Sequence, residues 1–246
     1  MPARTIDEVI IRLEEIIRLC RERKSRLGYF PALYRKVTIE VKKGIAAGKF
    51  EDGARMEKLD VIFANRYLEA WDQHERGEKP TNSWLVAFQA GRSRWPIVLQ
   101  HLLLGMNAHI NLDLGIAAAR AAPAEALASL HNDFNAINGV LASLVDEVRS
   151  ELEYIWPPLR FLARLTNRSE EMLINLSMAE ARDQAWNLAE RLAPLSPVEQ
   201  ERVIAEADGW TALFGRVVKD PPPFFNTLLI RTAEIKSVAK IIDILA

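Results

Sequence analysis

The chain has 246 residues, with 32 Lys and Arg against 33 Asp and Glu, 49% hydrophobic residues and one cysteine. That length can bury a sizeable core as one domain over 1–246, while a lone Cys20 excludes an intrachain disulfide and a thiolate metal cluster. Residues 1–58 carry 14 basic and 9 acidic residues, leaving 18 and 24 beyond, a +5/−6 split too mild to imply a nucleic-acid partner. The start, MPARTIDEVI, is charged and lacks the apolar core of a signal peptide. The longest uncharged run, Trp95 to Leu112, is interrupted by Gln100, His101, Asn107, His109 and Asn111. A cytoplasmic chain without membrane insertion is therefore expected.

Apolar residues recur at helical spacing throughout, and no β-branched alternation between hairpin turns occurs, so the fold class is all-α. Thr5-x-x-Glu8 has the form of a capping box for a helix to about Leu19. The basic run Arg21 to Arg26 reads as its solvated end. Further helices are expected over Tyr34–Ala47, closed by Gly48, and Ala54–His74, closed by Gly77. A short helix follows from Trp84 to Gly91. Pro96 then opens a helix to about Ala119, and this one is apolar nearly all round, so it should lie at the centre of the bundle. Pro123 opens the next helix, Asn167-x-x-Glu170 caps another to about Leu192, and Ser196-Pro197-x-Glu199 starts one ending near Gly215. Asp220-Pro-Pro-Pro223 must be extended, and a last helix runs from Phe225 to about Ile244. The whole is a bundle of about nine to ten helices around the segment 96–119.

Several chemistries are excluded by missing patterns. No histidine has Glu three positions before it, and there is no His-Glu-x-x-His, Cys-x-x-Cys, Gly-x-Ser-x-Gly or Gly-x-Gly-x-x-Gly. Cofactors of the nucleotide or flavin type are thus not expected. Gly44-x-x-x-Gly48-Lys49-Phe50 is one residue too short for a phosphate loop and lacks its Ser or Thr.

What remains is a set of polar residues on helices that should be buried. His109 and Asp113 lie one turn apart on one face of the central helix, with His101 roughly 12 Å earlier along the axis. Asn107 and Asn111 form a second i, i+4 pair on another side. In the preceding long helix, Leu59, Ile62, Phe63, Arg66 and Ala70 share a stripe, so Arg66, next to Tyr67, is a buried cation that wants a carboxylate, and Asp113 is the natural one. On the Pro123 helix, His131, Asn135 and Asn138 flank the apolar stripe, whereas Asp133 points away and reads as solvent-facing. Asp183 falls on the apolar line of Leu176, Ala179 and Trp186, which allows a buried pair with Arg182. A buried histidine is most often structural, but polar groups converging from three helices are what a site requires and a packing core does not.

The run from Met56-Glu57-x-Leu59-Asp60 to Arg66-Tyr67-Leu68, then Trp84-x-x-Ala87-Phe88, then His101-Leu-Leu-Leu-Gly105-Met-Asn107-Ala-His109-Ile-Asn111-Leu-Asp113, resembles an uncharacterised bacterial all-helical family catalogued as a domain of unknown function. Ala181-Arg182-Asp183-x-Ala185-Trp186 resembles its later motif. The resemblance spans about residues 28–245 and implies no particular reaction. His109-x-x-x-Asp113 is also similar to the metal-holding pairs of the zinc-dependent phospholipase C and single-strand nuclease group, although four histidines cannot supply that group's full ligand set.

These residues support an expectation of a metal-assisted hydrolase of a small ester or phosphoester. His109 and Asp113 would bind one divalent ion (zinc, manganese or iron), completed by His131. His109, Arg66 and Tyr67 would act on the substrate, Asn107, Asn111 and Asn135 would help bind it, and His101, Asn138 and Asp183 would orient ligands from behind. The partner is then a small molecule. Two alternatives stand beside this one: a metal-free enzyme using His109 as acid or base, and a non-catalytic binding or scaffold protein with a buried polar network. The oligomeric state is not legible.

Overall fold

In the computed structural model, which describes residues 1–122, 124–158, 169–221 and 227–246 (side chains of 124, 169–179 and 227–229 apart), 81% of the chain is helical and no strand occurs among the described residues. Among the described residues ten helices follow in order: α1 Ile6–Glu22, α2 Tyr29–Ala46, α3 Gly53–Glu75, α4 Asn82–Gly91, α5 Val98–Ala121, α6 Leu127–Ile155, α7 Ser169–Leu192, α8 Pro197–Lys219, α9 Thr227–Ala233 and α10 Val238–Leu245. The fold is an all-α bundle.

The expected starts are set by their caps. Thr5 accepts from the Glu8 amide at 3.2 Å, and Glu8 in turn accepts from the Arg4 amide. Ser196 and Glu199 form the reciprocal pair at the head of α8, with Pro197 in its first turn. Gly48 and Gly77 take positive φ just past α2 and α3, where a side chain would be strained.

Other boundaries differ from the periodicity, each for a physical reason. A 3-10 turn at Arg26–Gly28 leads directly into α2, which therefore begins at Tyr29. Pro96 lies ahead of α5, whose first turn is closed by Gln100 accepting from the Ile97 amide. Pro123 and Asn167 lie outside the described residues, and a 3-10 turn at Ala124–Ala126 precedes α6. Gly215 does not stop α8. A Cβ there would stand 3.2 Å from Asn107 Nδ2, so this glycine lets α8 run close over α5 and continue to Lys219. The expected last helix is two: Glu234 turns its carboxylate to α5, the Ile235 amide bonds the Ile155 carbonyl, and Ser237 caps a new start.

α5 is the centre. It touches α2, α3, α4, α6, α7 and α8, and although long and apolar enough to cross a membrane, its most apolar window is 78% buried within the bundle. Within α5 the residues His109–Leu114 form a π turn, an i to i+5 segment that changes the angular register of the helix midway.

Three helix starts are capped from a distance by buried acids. Asp133 of α6 accepts from the Glu51 and Asp52 amides at 2.6 and 3.1 Å ahead of α3, and holds Arg55 at 2.6 Å. This corrects the solvent-facing reading of Asp133: a carboxylate aimed at the amide end of a neighbouring helix is buried because that helix supplies its donors. Asp208 of α8 does the same for Asn82 and Ser83 of α4, and Glu234 for Val98 of α5.

Candidate functional site

The site is built at the π turn of α5. Asp113 is fully buried and accepts from three directions: Arg66 Nε of α3 at 3.1 Å on Oδ1, Trp84 Nε1 of α4 at 2.8 Å on Oδ2, and His109 Nδ1 at 3.3 Å on Oδ2. The Arg66 to Asp113 pair is the one the apolar stripe of α3 called for. Trp84 is the partner that sequence reasoning missed; six tryptophans at core-like spacings carry no signal telling a donor from filler.

Rings enclose the His109 imidazole. Phe63 stacks on it at 3.6 Å and 9°, Tyr34 stands edge-on at 4.5 Å, Phe30 lies at 5.7 Å, Trp84 at 6.0 Å and Tyr67 at 6.3 Å. Phe30 reaches this place because residue 105 is glycine: a Cβ on Gly105 would overlap the Phe30 ring. Four of these rings are buried, and Phe63 alone of the five is partly exposed.

The electrostatics follow from this closure. Burial drives the His109 pKa below its ordinary value, against the opposing pull of Asp113, so the ring is neutral at pH 7. An ionised carboxylate can only accept, so Nδ1 carries the proton and Nε2 presents a lone pair. That Nε2 is buried and has no hydrogen-bond partner in the protein; the same holds for the hydroxyls of Tyr34 and Tyr67. Burial pushes both phenols well above their ordinary values, and they stay protonated as donors. Asp60, a second missed residue, is buried on the same face of α3, adds to the Tyr34 shift, and has its own pKa raised to about 7 by desolvation and by Glu57.

The remaining candidates lie elsewhere. His131, Asn135 and Asn138 are on the exposed side of α6, where His131 packs on Trp186 and meets Asn135 at 3.2 Å. His101 is buried two turns before His109 against Tyr29, with its pKa driven to about 3 by burial. Asn111 donates to Asn107, which donates to the Thr211 carbonyl of α8, so this pair ties α5 to α8. Asp183 is exposed. Its buried neighbour is Arg182, which donates to the Phe134 carbonyl and lies over that ring at 4.6 Å, because the inward line of α7 is Arg182, Ala185, Trp186 and Ala189.

A divalent ion on His109, Asp113 and His131 does not find that ligand set here. Asp113 spends both oxygens on Arg66, Trp84 and His109, and His131 is solvent-facing while His109 is enclosed. Among the described residues no three His, Cys, Asp or Glu side chains are grouped to hold a metal.

Compared with known proteins, residues 6–221 match the family described as Family of unknown function (DUF5995). No curated protein and no solved structure matches the chain.

Proposed function

The chain belongs to this family of unknown function, and from its own geometry we propose that it is an acid–base enzyme for a small organic substrate, with His109 as the proton-transferring group. The observation that supports this reading is the buried Nε2 of His109, without a protein partner, on the far side of a ring whose Nδ1 is held by Asp113. A buried acceptor left unpaired costs about 1–3 kcal/mol; the Nε2 of His101 bears the same cost, and what sets His109 apart is the carboxylate on its other nitrogen and the unpartnered Tyr34 and Tyr67 phenols beside its ring. Asp113 orients the ring and sets its tautomer; Arg66 and Trp84 hold Asp113 in place and keep its charge compensated. In the reaction Nε2 takes a proton from the substrate and returns it, while the Tyr34 and Tyr67 hydroxyls donate to the substrate oxygen that gains charge. Substrate enters by displacement of Phe63, the ring that separates the imidazole from solvent.

Two measurements test this. The first is a turnover screen of small esters and enolisable carbonyl compounds. Any substrate found should lose about 10²–10⁴-fold in kcat/KM in His109→Gln, and equal turnover by wild type and variant overturns the reading. The second needs no substrate: Phe63→Ala should speed modification of His109 by diethyl pyrocarbonate, read by mass spectrometry. Stoichiometric metal in purified protein that disappears in His109→Gln would instead favour a metal-assisted hydrolase.

A further inference from the structure

A second polar cluster lies at the start of α5, roughly 12 Å along that helix from His109 and apart from the site described above. His101 is its buried member, 6% exposed, with the Tyr29 ring edge-on at 5.5 Å. The Pro96 carbonyl takes its ring N–H, and Nε2 has no hydrogen-bond partner among the described residues, so the proton is on Nδ1 and Nε2 offers a lone pair. Burial keeps the ring neutral, and the Arg26 and Arg231 guanidiniums, both near enough to act on it, push the same way. Of the basic run that ends α1, Arg21 and Arg23 pair with Asp243 and Glu75. Arg26, on the 3-10 turn ahead of α2, differs: its Nε is buried without a partner, and no carboxylate among the described residues pairs with it. Arg231 of α9 is held by Glu234 at 3.2 Å and by the Arg94 carbonyl at 2.8 Å, while Glu234 caps α5 through the Val98 amide.

Glu234 compensates Arg231, which leaves Arg26 as an uncompensated cation, and beside it His101 holds a buried acceptor that lacks a donor. A halide ion would satisfy the cation and leave His101 without a donor. A dianion would bring excess negative charge against Glu234. We propose that this cluster binds a small hydroxy-carboxylate monoanion, its carboxylate on the Arg26 guanidinium and its hydroxyl donating to His101 Nε2. The planar fork of a guanidinium matches a carboxylate, and a hydroxyl on the same small molecule supplies the proton that the imidazole lone pair lacks. Exposure sets the direction of approach. His101, Tyr29 and Glu234 are buried, whereas Arg26 and Arg231 are partly exposed, so the anion comes in from solvent past the two cations. Once bound, it ties the turn ahead of α2 to the first turns of α5.

Isothermal titration of the full chain with glycolate, acetate and chloride tests the proposal. Glycolate should saturate one site at millimolar concentrations, the range open to a ligand of this size. Acetate, which keeps the charge and lacks the hydroxyl, should bind about tenfold more weakly. Chloride should show no saturable binding. Arg26→Gln, at a partly exposed position, should weaken glycolate about tenfold or more with an unchanged circular dichroism spectrum, and His101→Phe should bring glycolate down to the affinity of acetate. The comparison of glycolate with acetate needs no variant, so it decides the matter even where His101→Phe fails to fold. Absence of saturable glycolate binding overturns the proposal, as does equal affinity for glycolate and acetate or binding indifferent to Arg26→Gln. Glycolate binding that survives Arg26→Gln and is lost in His109→Gln would place the ligand at the other histidine and overturns it as well.

Discussion

At the scale of single residues, the chemistry depends on one carboxylate holding three donors. Asp113→Asn removes the charge that compensates Arg66 and the acceptor that sets the tautomer of His109. Breaking a buried ion pair from one side should destabilise the fold by about 3–5 kcal/mol, measured by urea unfolding. A loss below about 1 kcal/mol would mean that Arg66 finds another partner. Asp60 gives a prediction in pH. His101 has a folded pKa of about 3 against an ordinary 6.5, so the unfolded chain takes up a proton that the native one refuses, and stability falls as pH drops below about 6.5. His109 acts in the same direction. Asp60 acts in the opposite one: its folded value of about 7 against 3.8 means that its contribution is complete below 3.8 and is lost as pH rises to 7. Between about pH 4 and 6.5 the slopes oppose. Asp60→Asn should therefore make the acid-side loss steeper by about 1.4 kcal/mol per pH unit, and parallel stability curves for the variant and wild type would show that Asp60 is ionised in the native fold.

At the scale of elements, helix starts in this bundle are closed from outside as much as from within. Asp208 takes three donors from the head of α4, two of them backbone amides, where the sequence offers only Thr81 as a local cap and Thr81 makes no cap bond. Asp208→Ala should cost about 1–3 kcal/mol in urea unfolding, while Thr81→Ala should cost a few tenths. Equal effects would return the capping role to Thr81. Gly105→Ala acts through packing: the new methyl meets Phe30, moves that ring toward His109, and should cost about 1–3 kcal/mol with a changed near-ultraviolet spectrum. The π turn belongs to this scale as well, since it sets His109 and Asp113 toward α3 and α4 while Asn107 and Asn111 remain tied to α8.

At the scale of the whole molecule, α5 should be the last element to open. It is contacted by six helices, and the two apolar clusters meet beside it at Phe63 of α3 and Val37 of α2. Backbone amides from Leu102 to Ala119 should exchange hydrogen only through global unfolding, later than those of α10, which packs on α1, α2 and α6 at the edge. Faster exchange at the π turn than on either side would mark that turn as a locally opening segment through which a substrate reaches His109.

The sequence by itself determined the fold class, most helix starts, the central place of α5 and the Arg66 to Asp113 pair, because helical periodicity states which face of each helix is apolar and which charge is stranded on it. Only the tertiary structure decided what each face meets. Asp133 looked solvent-facing until α3 supplied its donors, and Asp183 looked buried until Arg182 took the inward position. His131 sits on the open side of α6, while Trp84, Tyr34, Phe30 and Phe63, unremarkable as a pattern, close around His109. The physical reason is that a 3.6-residue repeat orients side chains about their own helix axis, whereas a site is made where several axes cross, and residues far apart in the chain settle that crossing together.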